Sequence, residues 1–185
     1  MEEKIFWRRA ADYGLIVGLA VFAVNLAGLL LGFDDNAALS EGLLLAVIVG
    51  GIVLSARRNM ALDYPDGGYT YARSLGFALA LMFFAAVAAG TGDYLLRAWI
   101  APEHYMQQFE QMLQRLEDSG VAVSEQMRQA LDAAPQMMRN PLMLILSEII
   151  NLGLKGGAAG ALLAVYLRNG TSSQNNTDND RKQQM

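Results

Sequence analysis

The chain has 185 residues, of which 54% are hydrophobic and only 17% are charged, a composition too apolar for an ordinary soluble domain. Its net charge of -4 and its scattered basic residues argue against nucleic acid as a partner. Cysteine is absent and His104 is the only histidine, which excludes disulfides, thiolate metal sites and multi-histidine metal centres. The sequence therefore predicts a membrane protein that is not an enzyme, with no catalytic residue, metal or cofactor.

Two long apolar runs are typical of membrane-spanning helices. Tyr13 to Phe33 contains no charged residue over 21 positions, and Ser74 to Gly92 contains none over 19. Each length is close to the roughly 20 residues that a helix needs to cross the hydrocarbon of a bilayer. Both runs are predicted to be spans.

Two further runs are less regular. Gly42 to Ala56 is free of charge over only 15 residues, but it reaches spanning length when it is extended back past Glu41. The run from Pro141 to Leu167 is interrupted by Glu148 and Lys155, and a central charge opposes insertion by about 2.5 to 3.5 kcal/mol. We predict an all-α, polytopic four-helix transmembrane bundle over residues 1–168, with spans near 13–33, 39–57, 73–97 and 141–167. A bundle of three spans is the alternative.

Basic residues indicate the orientation of the spans. Lys4, Arg8 and Arg9 precede the first span, whereas the connection from Asp34 to Glu41 holds three acids and no base. The positive-inside rule then predicts that both termini are cytoplasmic in a bacterial inner membrane, and that the polar residues 169–185 form a disordered cytoplasmic tail. A cleaved signal peptide is the alternative reading of the first run, which is longer than the hydrophobic region of such signals.

The segment from 101 to 140 is predicted to lie outside the membrane as an amphipathic helical hairpin between spans three and four. Pro102 begins its first arm, and Ser124, a good N-cap, begins its second. The apolar stripes of the two arms either pack on the bundle or form a surface for a partner. That candidate partner surface consists of Tyr105, Phe109, Met112, Leu116, Met127 and Leu131.

Polar residues share one face of the fourth predicted span. Glu148, Asn151 and Lys155 follow one another at i, i+3 and i+7, and ionisable residues at membrane depth usually face a partner or a pathway. Arg97 at the end of the third span is placed to reach Glu148. The candidate intramembrane polar network is Glu148, Lys155, Asn151, Asp93, Arg97 and Asn25. It either holds the helices in register or serves an ion, a proton or a small polar ligand.

Small residues in the same span predict a close helix–helix contact. Gly153, Gly156 and Gly160 lie in its second half, and Gly156 with Gly160 makes a small-xxx-small pair, which lets two helices approach closely. We expect this face to pack within the bundle. Contact with a second copy in a homodimer is the alternative.

Three short motifs add a resemblance to a known family. They are Gly-Gly-Tyr-Thr-Tyr at 67–71, Ile-Ala-Pro-Glu at 100–103 and Asn-Pro at 140–141. With the order of the predicted elements, they make the chain, to about Gly170, resemble domain-of-unknown-function family 4199, a family of bacterial inner-membrane proteins common in the Bacteroidota. The resemblance implies location and architecture, and it supplies no activity and no functional residues.

These patterns together favour a structural or protein-interaction component of the bacterial envelope. Its partners would be the lipid bilayer and either an envelope protein or a second copy of the chain. A small transporter or ion-coupled carrier that uses Glu148 and Lys155 is the alternative.

Overall fold

The computed structural model describes residues 2–32, 36–63, 70–119 and 140–183, with the isolated positions 129, 131, 133 and 136, and it describes side chains as far as Val165. The described residues are helical and contain no strand, so the all-α prediction is confirmed. The helices are α1 (Glu2–Leu31), α2 (Ala37–Asp63), α3 (Tyr71–Leu95), a π-helical turn (Leu96–Ile100), α4 (Pro102–Asp118) and α5 (Pro141–Gln183).

Three of these helices begin at a residue whose side chain caps the first turn. Asn36 accepts a hydrogen bond from the backbone N–H of Leu39 at 3.2 Å, and Thr70 accepts one from the N–H of Arg73 at 3.4 Å. Asn140 accepts from the N–H of Leu142 at 3.0 Å. Each side chain satisfies a backbone donor that the first turn of a helix leaves without an intrahelical partner.

A glycine ends the first helix. Gly32 follows α1 directly and has a φ of 69°, in the left-handed region that side chains with a Cβ atom adopt at a cost of about 1 to 2 kcal/mol. This is the position at which helices commonly end on glycine.

Helix α3 lies at the centre of the bundle, with α1 and α5 as its main neighbours and α2 packed chiefly on α1. Its buried face includes Phe77, Leu81 and Met82, which are at most 1% exposed. Leu152 of α5 and Val21 of α1 belong to the same core. The third predicted span is therefore the one that is largely enclosed by protein.

The contact between α1 and α3 is made by glycines. A Cβ atom at Gly14 would lie 2.6 Å from the carbonyl oxygen of Leu81, and one at Gly18 would lie 2.5 Å from that of Ala85. The two helices thus approach backbone to backbone, as small-xxx-small pairs allow. Residue numbers rise together along this contact, so α1 and α3 run parallel, as two spans separated by a third should.

Four of the helices are long and apolar enough to cross a membrane: Lys4–Leu31, Ala38–Asn59, Tyr71–Ile100 and Pro141–Val165. The four-span architecture is confirmed. In three of the segments fewer than a third of the residues are buried inside the bundle, and lipid would cover the remaining surface. The first helix begins at Glu2, well before the predicted span, and its first turns carry the charged residues that precede that span.

The segment between spans three and four is described only in part. Its first predicted arm is present as α4, whereas residues 120–128 and most of 130–139 lie outside the described residues. The predicted hairpin, with Met127 in its second arm, thus stays a prediction. At the other end of the chain, α5 continues to Gln183, past Asn169, where the sequence predicts that a disordered tail begins. A helix can continue there through its own backbone hydrogen bonds without any packing partner.

Candidate functional site: a polar cleft at one end of the bundle

Asp93 and Arg97 form an ion pair where α3 passes into its π-helical turn. The Nε atom of Arg97 donates to Oδ2 of Asp93 at 2.8 Å. These two residues are four apart on one helix, so their side chains meet without help from another helix. The predicted contact of Arg97 with Glu148 is not formed, because the nearer acid on the same helix takes its place.

The same arginine connects the span to α4. The guanidinium carbon of Arg97 lies 4.9 Å from the centre of the Tyr105 ring, which is a cation–π distance. Tyr105 therefore lies over the ion pair and holds α4 against the end of α3. Phe109, one turn further along α4, is buried.

A cleft of about 200 Å³ opens beside this ion pair. Its walls come from α1, α2, the end of α3 and α4, so it lies at the end of the bundle where α1 and α3 finish. It is lined by Val24, Asn25, Gly28, Ser40, Leu44, Asp93, Arg97, Tyr105 and Gln108. Three members of the predicted polar network, Asn25, Asp93 and Arg97, thus meet in one cleft.

Glu148 is not one of the residues that line the cleft. A Cβ atom at Gly90 would lie 3.2 Å from that of Glu148, so the glutamate packs on a glycine of α3. Its half-buried side chain is within electrostatic range of Asp93, Arg97 and Lys155, and Asn151 lies beside it. No cationic nitrogen of the described residues comes within ion-pair distance of its carboxylate.

Lys155 has a partner that we did not predict from the sequence. Its Nζ atom donates to both carboxylate oxygens of Glu41, at 2.7 Å and 3.0 Å. The long lysine stem thus reaches from the middle of the fourth span to the first turns of α2, and its partner is an acid outside the predicted network. A signal was present: Glu41 is the acid that extends the second span, and a lysine stem can carry its charge a considerable distance.

The glycines of α5 divide into two kinds. Gly156 lies against Met82, and a Cβ atom at Gly160 would lie 2.9 Å from that of Ala78. Both glycines therefore face α3 inside the bundle. Gly153 has open space around the position of a Cβ atom, so it does not belong to this contact.

The predicted partner surface is also divided. Met112 is 50% exposed, whereas Phe109 is buried and Tyr105, Leu116 and Leu131 are half-buried. The beginning of the apolar stripe of α4 thus packs on the bundle, and Met112, near the middle of the helix, is its exposed member.

Sequence reasoning missed two other connections. Gly14 and Gly18 make the close contact with α3 described above, and a glycine pair four residues apart in the first span was the signal for it. Arg9 donates to Oδ1 of Asn59 at 3.0 Å and joins α1 to α2. Neither residue of this bond stands out in its own segment, so no sequence pattern indicated it.

The chain belongs to a family of unknown function. Residues 12–169 match the model of the family described as "Protein of unknown function (DUF4199)". No curated protein and no solved structure matches the chain. Membership agrees with the resemblance based on the three motifs, and it assigns no activity to the cleft or to Glu148. Among the described residues, no group of three His, Cys, Asp or Glu side chains could hold a metal ion.

Proposed function

We propose that this member of the family is a multi-pass protein of the bacterial inner membrane with a structural or protein-interaction role rather than an enzymatic one. The observation that carries the proposal is the pairing of the two cations of the polar network. Lys155 binds Glu41, and Arg97 binds Asp93. The pair between Lys155 and Glu41 restrains α5 against α2, whereas a carrier needs a charge that changes partners as it moves its cargo.

The orientation is part of the same proposal. The basic residues before α1 and the acidic connection after it support cytoplasmic termini. In that orientation α4 and the cleft lie on the outer side of the membrane. The exposed part of α4, around Met112, is then available to an envelope protein or to a second copy of the chain.

A cysteine-accessibility scan tests orientation and role together, because the chain has no native cysteine. With Met112→Cys, a membrane-impermeant maleimide should label intact spheroplasts, whereas Arg8→Cys should be labelled only after the membrane is opened. The reverse pattern would overturn the proposed orientation. Crosslinking from a photoreactive group at residue 112 in whole cells should capture an envelope protein or a second copy, and capture of its own spans alone would count against an interaction role.

One observation favours a carrier as the second candidate. Glu148 has no ion-pair partner among the described residues, although it lies in a span and close to Asp93. Relays and carriers use acids of this kind. With Glu148→Cys, a carrier should be labelled by a small water-soluble maleimide, whereas a structural residue packed on Gly90 should not be labelled.

A further inference from the structure

The side-chain amide of Asn25 lies in the wall of the cleft without a hydrogen-bond partner among the described residues. It lies in the span formed by α1, it is half-buried, and it makes no hydrogen bond with any described residue. An amide without partners at membrane depth is unfavourable by several kcal/mol. Such a group is usually satisfied by water or by a ligand.

Arg97 offers donors to the same cleft. Only its Nε atom is engaged, and its terminal nitrogens have no partner in the described part of the chain. The ring of Tyr105 lies against the guanidinium, and the bond to Asp93 holds one of its edges. A guanidinium held in this way presents a fork that matches the oxygens of a carboxylate or a phosphate.

Asp93 offers an acceptor. Its Oδ2 atom receives the bond from Arg97, and its Oδ1 atom remains available for a cation. The Asp93–Arg97 pair is neutral overall. An ion with only negative charge is therefore a poor fit, since the carboxylate of Asp93 would repel it.

We propose that the cleft binds a small zwitterion, in which a phosphate or carboxylate meets the terminal nitrogens of Arg97 and an ammonium group meets Oδ1 of Asp93. The amide of Asn25 gains its missing hydrogen bonds from the same molecule. The cleft of about 200 Å³ is smaller than the roughly 300 to 1,000 Å³ of sites for drug-sized ligands. It suits a molecule of the size of a phosphoethanolamine group or a small amino acid.

Two sources can supply this chemistry. One is the headgroup of a zwitterionic phospholipid, which can reach a cleft at the end of a transmembrane bundle from the side. The other is a water-soluble zwitterion that enters from the aqueous phase. The charges recognised are the same in both cases, so the experiment must separate the sources.

Native mass spectrometry of the full chain, released from nanodiscs, tests the lipid source. Nanodiscs with equal amounts of phosphatidylethanolamine and phosphatidylglycerol should give a retained phosphatidylethanolamine adduct. Arg97→Gln and Asn25→Leu should each reduce its retention. Arg115→Gln, which alters an exposed arginine of α4, is the matched control and should leave retention unchanged.

Titration calorimetry of the detergent-solubilised protein, with free phosphoethanolamine and with alanine, tests the soluble source. Arg97→Gln should weaken binding at least about tenfold, because a hydrogen bond to a charged group is lost. Asn25→Leu leaves the ion pair intact, so it tests the cleft even if Arg97→Gln fails to fold. Adducts confined to the lipid experiment identify a headgroup site, and binding in the calorimeter identifies a solute site. Absence of both, or equal binding by both variants and the control, would overturn the proposal.

Discussion

Two charged residues of one span, Lys155 and Glu148, show that the position of a side chain in the sequence does not identify its partner. Lys155 and Glu148 lie on the same helix and were predicted to share a network, yet Lys155 binds Glu41 on α2 while Glu148 packs on α3. The side chain of Glu41 is 52% exposed and that of Lys155 is 27% exposed. Their bond is therefore a peripheral clamp between two helices rather than a buried ion pair.

This clamp predicts a measurable coupling between Glu41 and Lys155. In a double-mutant cycle with Glu41→Gln and Lys155→Met, unfolding in detergent should give a coupling free energy of about 1 kcal/mol, within the range found for polar pairs between transmembrane helices. The charge-reversed double variant Glu41→Lys with Lys155→Glu should recover part of the lost stability. A parallel cycle with Glu148→Gln in place of Glu41→Gln is the control and should give a smaller coupling. Equal coupling in the two cycles would contradict the clamp.

The cap of α5 gives a second prediction for a single residue. Asn140→Ala removes the bonds that Oδ1 accepts from the N–H groups of Leu142 and Met143. This substitution should lower the free energy of unfolding by about 1 kcal/mol, whereas Asn140→Asp should retain most of the stabilisation that the cap provides. Thermal unfolding of the two variants in one detergent measures the difference. An unchanged midpoint for Asn140→Ala would show that the cap contributes nothing.

At the scale of helices, contact with α3 determines the arrangement of the bundle. α1 meets it through Gly14 and Gly18, and α5 meets it through Gly156 and Gly160. Lipid is as apolar as a leucine side chain, so burial of apolar area gives little drive to helix association in a membrane. Close packing of small residues must supply it, and the glycines on both neighbours of α3 serve this purpose.

The α1–α3 contact predicts opposite effects for two glycines. At Gly18→Ala the added methyl group meets the backbone of Ala85, which cannot yield locally, so stability should fall by about 1 to 3 kcal/mol. At Gly50→Ala nothing lies within 4 Å of the new atom, and the higher helix propensity of alanine should leave stability unchanged or raised. Unfolding of both variants in detergent measures the contrast. A loss of similar size at both positions would show that the close contact with α3 is not the cause of the loss.

At the scale of the whole molecule, the membrane domain and the polar terminus should be separable. The family match ends at residue 169, and residues 169–184 contain no large apolar side chain. Although α5 is helical to Gln183, this part has little apolar surface to bury. Removing residues 170–185 should therefore leave the midpoint of thermal unfolding unchanged. A marked fall would show that the terminal turns pack on the bundle.

The sequence by itself determined the four spans, the class of fold and the amphipathic helix after the third span. Length and polarity suffice for these, because a helix in lipid must satisfy its own backbone and cover itself with apolar side chains. The same argument identified Asn25, Asp93 and Arg97 as unusual, since polar residues at membrane depth are unfavourable wherever they face. The residue types alone did not predict which of these side chains would contact one another.

Only the tertiary structure decided the partners. It joined Lys155 to Glu41 and Arg97 to Asp93 and Tyr105, and it left Glu148 against Gly90. The rotation of each helix about its axis and its choice of neighbours depend on packing between segments far apart in the chain. No pattern within one segment contains that information. The polar cleft, whose walls come from four helices, accordingly appears only when all of them are in place.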